Sequence, residues 1–125
     1  MKAYIIRTNL TSDVVEFEKG ESYALLSGAV GGYIECVGLR GDLDMWVNEE
    51  GKLQGLPLNP IGTRIWSVFY GPTDTIVGDV IFTGGVDENG ETLGLTDETL
   101  HKLQWFYETA IEMLQHHLRD LFEGV

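Results

Sequence analysis

The feature that most constrains the fold is a run of apolar residues spaced three and four apart near the C-terminus. This spacing places the side chains on one face of an α-helix. Thr96 is a suitable N-cap, and Asp97 and Glu98 in the first turn favour the helix dipole. The pattern predicts a helix over about residues 96–122, which at about 1.5 Å per residue is roughly 40 Å long. The stripe consists of Leu100, Leu103, Tyr107, Ile111, Leu114, Leu118 and Leu121.

This predicted helix is long relative to the rest of the chain. A domain of this size has a radius of gyration of about 14 Å, so the helix spans the body or projects beyond it. Trp105 and Phe122 are apolar but lie off the stripe. Either one wide apolar face of the helix packs over a large sheet, or a second chain covers the apolar residues that the sheet does not. We expect a homo-oligomer, most simply a two-fold dimer. The expected interface comprises Leu103, Phe106, Tyr107, Ala110, Met113 and Leu114.

Short strand patterns and two short helix patterns precede the long helix. Val15 and Phe17 alternate with glutamates, which is typical of a half-buried strand, and residues 2–7 suggest its hairpin partner. Gly31 and Gly32 provide a stop for the first short helix. The helix patterns are at 21–32 and from Asn59 onward, and the remaining strand patterns are at 33–39, 43–47 and 75–85.

The predicted order of elements is β-β-α-β-β-α-β-α. Hairpins dominate this order, which indicates an α+β fold with a mainly antiparallel sheet, two short helices and one long C-terminal helix. The strand at 75–85 is the most apolar and is expected to be central. We expect residues 1–95 to form the α+β domain and residues 96–125 to form the long helix, which packs on that domain and mediates oligomerisation.

The stretch MWVNEEGKLQGLPLNP, from Met45 to Pro60, reads as a hairpin followed by a helix start. A strand ends at Val47, Gly51 takes the turn, and KLQGL returns as the second strand. Asn59 is a favourable N-cap, and Pro60 at the first helical position loses no hydrogen bond. The helix that follows is expected to bury a stripe formed by Ile61, Ile65, Val68 and Phe69.

The charge balance narrows the possible partners. Eight basic residues face 20 acidic ones, which gives a net charge of −12. Such a surface repels phosphate backbones and anionic membranes, so we expect neither nucleic acid nor membrane as a partner. A basic protein would be attracted, although acidity is also a common route to solubility. The single cysteine, Cys36, and the lack of an apolar segment of about 18 residues favour a reducing, cytoplasmic setting.

Motifs that carry chemistry are weak in this sequence. The acidic turns fail the spacing of a calcium loop, and the histidines, His101, His116 and His117, lack the spacing of a helical zinc pair. Cys36 lies mid-strand and reads as a buried structural thiol. Asp79 interrupts an apolar strand, so it faces solvent or a polar pocket. We expect no metal, no cofactor and no enzymatic activity; a hydrolase or transferase based on Asp79 is the weaker alternative.

Three segments together carry a resemblance to a known family. They are GGYIECVGL, LDMWVNEEGKLQGLPLNPIGTRIW and DTIVGDVIFTGG, within residues 2–95. The combination resembles a family of small proteins of unknown function that is common in bacteriophages and in actinobacteria and their mobile elements. The resemblance implies no activity. It implies a phage-type accessory protein in a bacterial host cytoplasm, where such proteins act on host machinery or host defences.

Several polar residues that the predicted strands and helix do not require are expected to cluster at one rim of the structure. The free N–H groups at the helix start, Pro60 to Gly62, would suit an anion. The candidate ligand-binding residues are Trp46, Lys52, Gln54, Asn59, Thr63, Arg64 and Asp79.

Three functions remain open at this point. The first is an acidic, non-enzymatic module that binds and modulates a host protein. The second is a small-molecule binder, for instance a sponge for a nucleotide signal held by Arg40, Lys52, Arg64, Trp46 and Trp66. The third is a structural or assembly protein.

Overall fold

The computed structural model describes residues 1–123 and has the predicted order of elements. Five strands and three helices form an α+β arrangement. The elements are β1 (Lys2–Ile6), β2 (Ser12–Glu16), α1 (Ser22–Val30), β3 (Ile34–Arg40), β4 (Leu43–Asn48), α2 (Pro60–Tyr70), β5 (Val80–Thr83) and α3 (Asp97–Glu123).

The strands form one antiparallel sheet in the order β2-β1-β5-β4-β3. The predicted hairpin of β1 and β2 is confirmed, with Ala3 opposite Val15. β5 occupies the centre, as its apolar sequence predicted, and all four of its residues are buried. It is shorter than the predicted strand 75–85, because Gly78 has a φ of 78° that an extended strand does not allow.

Helices cover both faces of the sheet. Alternation along the strands sends Ile5 and Ile81 toward α1, whereas Ile6 and Phe82 point toward α2 and α3. The larger core lies on the α2 and α3 side, and the smaller core lies under α1. β4 follows the predicted alternation, with Leu43, Met45 and Val47 on the larger core and Trp46 on the smaller one.

The end of α1 and the start of α2 lie where the sequence predicted them. Gly31 follows α1 with a φ of 76°, and its N–H donates to the Ser27 carbonyl, so glycine provides the left-handed cap. At the start of α2, the Asn59 side chain accepts a hydrogen bond from the Gly62 N–H, and Pro60 occupies the first turn.

The predicted hairpin within Met45–Pro60 is wrong. β4 ends at Asn48, and residues 49–55 form consecutive turns instead of a returning strand. Both edges of β4 are already paired, with β3 on one side and β5 on the other, so no edge is free for another strand. The chain then reaches α2 through a single bridge between Leu58 and Val77.

Three predicted core positions lie at the surface. In α2, Ile61 and Ile65 are buried as expected, but Val68 is 66% exposed and Phe69 is 39% exposed. Both come after Ile65, the last buried residue of α2. Cys36 was expected to be buried and is exposed, because β3 is an edge strand with an open side.

α3 confirms the predicted long helix. Thr96 caps it by accepting a hydrogen bond from the Thr99 N–H at 3.2 Å. Leu100 and Leu103 are buried in the larger core, and the half-buried positions end at Ile111. Every residue from 112 to 123 is exposed. We call Asp97–Ile111 the body half of α3 and residues 112–123 its free half.

Within residues 1–123, no helix is both long and apolar enough to cross a membrane.

Candidate functional site

One polar depression is a cleft at the start of β3 and the end of β4, which we call the polar cleft. Its volume is about 320 Å³. One wall comes from β3 and β4, another from the turns after β4, and the remaining walls from α2 and the segment before β5. The polar residues that line it are Glu35, Asn48, Glu49, Lys52, Asp74 and Thr75, and Trp66 is the aromatic residue of its wall.

Backbone hydrogen bonds and the Asn48 side chain hold the turns that form one wall of the polar cleft. Asn48 fixes their start: its side chain accepts from the Glu50 N–H at 2.9 Å and donates to the Val30 carbonyl at 3.2 Å. Gly51 sits tightly in the turn, where an added Cβ would lie 3.1 Å from the Val77 side chain. The wall is therefore a fixed part of the fold, because its first residue is tied to α1 and its middle is packed against residue 77.

The polar cleft has an excess of negative charge. Among residues 1–123, Lys52 is the only cation that lines it, and the Lys52 Nζ lies 2.5 Å from Asp74 Oδ1. This hydrogen bond from Lys52, together with one from the Thr75 N–H, lowers the pKa of Asp74. Glu35 and Glu49 are exposed and remain without a basic partner among residues 1–123. The cleft therefore favours a positively charged ligand.

Trp66 gives the polar cleft an aromatic wall. The indole is half-buried and stacks on Tyr70, with ring centroids 5.2 Å apart and an interplanar angle of 23°. The Tyr70 hydroxyl donates to the carbonyl of Gly38, which fixes α2 to the edge strand β3. A cation over an indole face gains about 0.5–1 kcal/mol at an exposed site. Carboxylates and an aromatic ring are thus arranged as groups that recognise a lysine or arginine side chain.

A second depression lies between the start of α2 and the junction of the two halves of α3. We call it the apolar groove, and its volume is about 270 Å³. Apolar side chains make most of its surface, with Arg64 and His117 as the basic residues. Its lining comprises Leu10, Pro60, Ile61, Arg64, Ala110, Met113, Leu114 and His117.

Two of the predicted ligand residues lie on the opposite face of the sheet, under α1. Trp46 packs against the smaller core, and its Nε1 donates to Thr83 Oγ1 at 2.8 Å. Asp79 is half-exposed beside α1, and its Oδ1 accepts from the Thr8 N–H at 2.9 Å. Both side chains therefore have structural partners, and neither reaches the polar cleft.

Asn59 and Thr63 are used inside the fold. Asn59 is 0% exposed, and its Nδ2 donates to the carbonyls of Ile6 and Gly78, each at 3.0 Å. Thr63 Oγ1 accepts from the Ile76 N–H at 2.9 Å. At the predicted anion site, Pro60 to Gly62, proline has no N–H and the Gly62 N–H is bonded to Asn59, so Ile61 is the one residue of the three with an N–H left to offer.

The remaining predicted ligand residues are separated from one another. Lys52 lines the polar cleft, and Gln54 is exposed nearby with its Nε2 3.4 Å from Glu50 Oε2. Arg64 lines the apolar groove, and Arg40 lines a third, smaller cleft between α2 and α3. The three basic residues assigned to a phosphorylated ligand thus face three different depressions.

The predicted interface residues divide into inner and outer positions. Leu103 is 5% exposed inside the larger core, so its side chain is not available at a surface. Phe106, Tyr107 and Ala110 are half-buried against that core. Met113 is 56% exposed and Leu114 is 37% exposed.

Cys36 lies on the exposed edge of the sheet beside Asp44. Desolvation, followed by the nearby Asp44 carboxylate, raises the pKa of the Cys36 thiol to about 11. Desolvation likewise raises the pKa of Asp44. The thiol is accessible, but it stays protonated at neutral pH and is a poor nucleophile.

Sequence reasoning missed the carboxylates of the polar cleft. Glu35, Glu49 and Asp74 belong to no catalytic or metal-binding motif in the sequence. Residues 35 and 74 lie far apart in sequence, and the fold alone brings them to one cleft. No short-range pattern marks such a pair.

Comparison with known proteins gives a family and no relative of known activity. A family model described as a domain of unknown function (DUF3846) matches residues 1–108. The match extends past residue 95 and ends within the body half of α3. Neither the curated proteins nor the solved structures contain a match.

Proposed function

This chain belongs to the DUF3846 family, and from that premise we propose that it is a non-enzymatic protein-binding module. Its polar cleft receives a lysine or arginine side chain from a basic segment of the partner. The observation that carries this proposal is the composition of the cleft, in which Glu35, Glu49 and Asp74 surround a single cation, Lys52, beside the Trp66 ring.

The charge of the whole chain supports a basic partner. The net charge is −12, and five of the eight basic residues form ion pairs with carboxylates within residues 1–123. The field outside the molecule is therefore negative, which speeds the approach of a basic protein and slows that of an acidic one. The polar cleft then supplies a defined place for one cationic side chain.

Binding without catalysis suits the internal bonding of the polar cleft. Lys52 is paired with Asp74, and both polar ends of the Asn48 side chain are bonded to backbone groups. These groups are positioned by one another, and none of them pairs a nucleophile with a general base. The arrangement is suited to holding a charged group and not to transferring a proton.

The biological setting we propose follows the resemblance of GGYIECVGL, LDMWVNEEGKLQGLPLNPIGTRIW and DTIVGDVIFTGG to proteins common in bacteriophages and actinobacteria. In that setting the chain is a phage-type accessory protein in the bacterial host cytoplasm. Its partner is a basic host protein, and modulation of that partner would serve counter-defence or another step of host takeover.

The test uses two fluorescent peptides, one that alternates arginine with serine and a matched one that alternates glutamate with serine. We expect the arginine peptide alone to bind, more weakly as salt is raised. The variants Glu35→Gln, Glu49→Gln and Asp74→Asn should each reduce affinity about three- to tenfold, and Trp66→Leu should reduce it by a similar factor. Circular dichroism checks that each variant is folded.

The matched control is Glu88→Gln, which removes the same charge at an exposed position outside the polar cleft. We expect it to leave the affinity for the arginine peptide within about twofold. Equal losses in Glu88→Gln and the cleft variants would show that only diffuse charge attracts the peptide, and the cleft would then have no special role.

A further inference from the structure

The apolar stripe of α3 does not stop where the helix leaves the body. Leu100, Leu103 and Tyr107 pack on the larger core, and the same spacing continues through Leu114, Leu118 and Leu121. These last three side chains are 37%, 44% and 58% exposed. A stripe that continues at steps of three and four is the pattern by which helices pair.

The free half has little to stabilise it in a single chain. Isolated helices shorter than about 12–15 residues are marginal in water, and here residues 112–123 are all exposed. Exposed apolar side chains also include Met113 at 56% and Phe122 at 75%. Packing of this face against another surface would supply the stability that the helix lacks.

We propose that a second copy of this chain covers this face. The two free halves pair antiparallel about a two-fold axis near His116, and the end of each helix lies along the apolar groove of the other copy. This pairing places Leu118 of one copy opposite Leu114 of the other, and Leu121 of one copy opposite Ile111 of the other. The apolar groove is thereby covered by the partner helix end.

Charge opposes the pairing of two copies and must be offset at the interface. Two chains with a net charge of −12 repel each other, and residues 112–123 add three carboxylates against one arginine. Pairing of the free halves therefore requires the apolar stripe together with a complementary cation beside it.

Arg64 supplies the complementary charge. It lines the apolar groove, and none of the ion pairs within residues 1–123 involves it. Asp120 lies on the flank of α3 that also carries Met113, and its partner in the same chain is His116 at 3.4 Å. The two-fold axis runs perpendicular to the plane that contains both helices. The same flank of each helix therefore lies on the same side of that plane. Arg64 of one copy therefore faces Asp120 of the second copy.

The first experiment measures the mass of the full-length chain by light scattering across protein concentrations. We expect a dimer that Leu118→Glu converts to a monomer. The control His101→Glu adds the same charge at an exposed position in the body half, and it should leave the dimer intact. A wild-type monomer at all concentrations, or a dimer that survives Leu118→Glu, would overturn the proposal.

A charge exchange then tests the orientation of the helices. Arg64→Asp and Asp120→Arg should each raise the dimer dissociation constant about tenfold, and the double variant should return it to within about threefold of wild type. The control double variant Arg64→Asp/Glu88→Arg has the same net charge as wild type but should not recover. Absence of rescue in the first double variant would overturn the antiparallel arrangement.

The dimer and the polar cleft are independent of each other. The cleft variants Glu35→Gln and Asp74→Asn should leave the mass unchanged, and Leu118→Glu should retain binding of the arginine peptide. Failure of peptide binding with an intact dimer would reject only the proposed function, and failure of dimerisation with intact peptide binding would reject only the dimer.

Discussion

The body half and the free half of α3 share one apolar periodicity but have different surroundings. In the body half, Leu100 and Leu103 are buried, and Tyr107 donates a hydrogen bond to the Leu10 carbonyl at 2.6 Å. In the free half, Leu118 and Leu121 occupy equivalent positions on the helix and remain exposed. The pattern therefore specifies which face of a helix is apolar, but it does not specify what covers that face.

The two halves also differ in the hydrogen bonds and ion pairs that fix them in place. The body half is fixed at its start by the Thr96 cap and near its end by Tyr107, whose ring meets Tyr4 edge-on at 6.3 Å. Of the ion pairs within residues 1–123, the free half takes part in one, the exposed pair that joins His116 to Asp120. Exposed pairs of this kind contribute about 0–1 kcal/mol. Four measurements can sharpen or break this contrast.

The largest effect is expected from Leu103→Ala, which leaves a cavity in the larger core. We expect a loss of about 2–5 kcal/mol in the free energy of unfolding. The matched change in the free half, Leu118→Ala, should cost less than about 0.5 kcal/mol when measured at concentrations where the chain is monomeric. Urea unfolding followed by circular dichroism gives both values. Similar losses in the two variants would mean that the free half is packed within one chain.

Removal of the cap should have the next largest effect. Thr96→Ala deletes the hydroxyl that accepts from the Thr99 N–H, and the expected loss is about 1 kcal/mol of unfolding free energy. Thr96→Ser keeps the oxygen and should lose less than half of that amount. Equal losses in the two variants would assign the effect to the methyl group and not to the cap.

Tyr107→Phe removes the hydroxyl that ties the end of the body half to Leu10. The hydrogen bond is partly buried, so we expect a loss of about 0.5–1.5 kcal/mol. Tyr23→Phe serves as the control because Tyr23 is 61% exposed. If Tyr107→Phe were neutral in urea unfolding, the body half would not depend on this anchor.

The smallest effect is expected from ending the chain after His117, which keeps every residue that lines the apolar groove. Because residues 118–123 are exposed, their removal should change the unfolding free energy of the monomer by less than about 0.5 kcal/mol. Hydrogen exchange on the intact monomer should show the same contrast, with faster exchange in the free half than in the body half. Slow exchange across all of α3 in the monomer would contradict the division into two halves.

Much of the fold could be predicted from the sequence. The order of the elements, the β1–β2 hairpin, the central position of β5 and the caps at Gly31, Asn59 and Thr96 are confirmed. Each of these depends on alternation, helical spacing or a cap, and such signals lie within a few neighbouring residues. The hairpin predicted after Val47 failed because the partners of β4 are chosen by the whole sheet.

The candidate site was far less predictable. Asn59 was correctly read as a cap, but its remaining hydrogen-bonding capacity goes to Ile6 and Gly78, which no local pattern reveals. Lys52 and Arg64 were expected at one rim, and the fold directs them to two different depressions. Cys36 reads as a core residue until the edge position of β3 is known.

The sequence by itself determined the class of fold, the phase and length of α3 and the negative charge that favours basic partners. Tertiary structure alone decided which polar groups stay available, which carboxylates share the polar cleft and where α3 leaves the body. The physical reason is the range of the interactions. Secondary structure and caps depend on bonds between neighbours in sequence, whereas a cleft depends on contacts between distant residues such as Glu35 and Asp74.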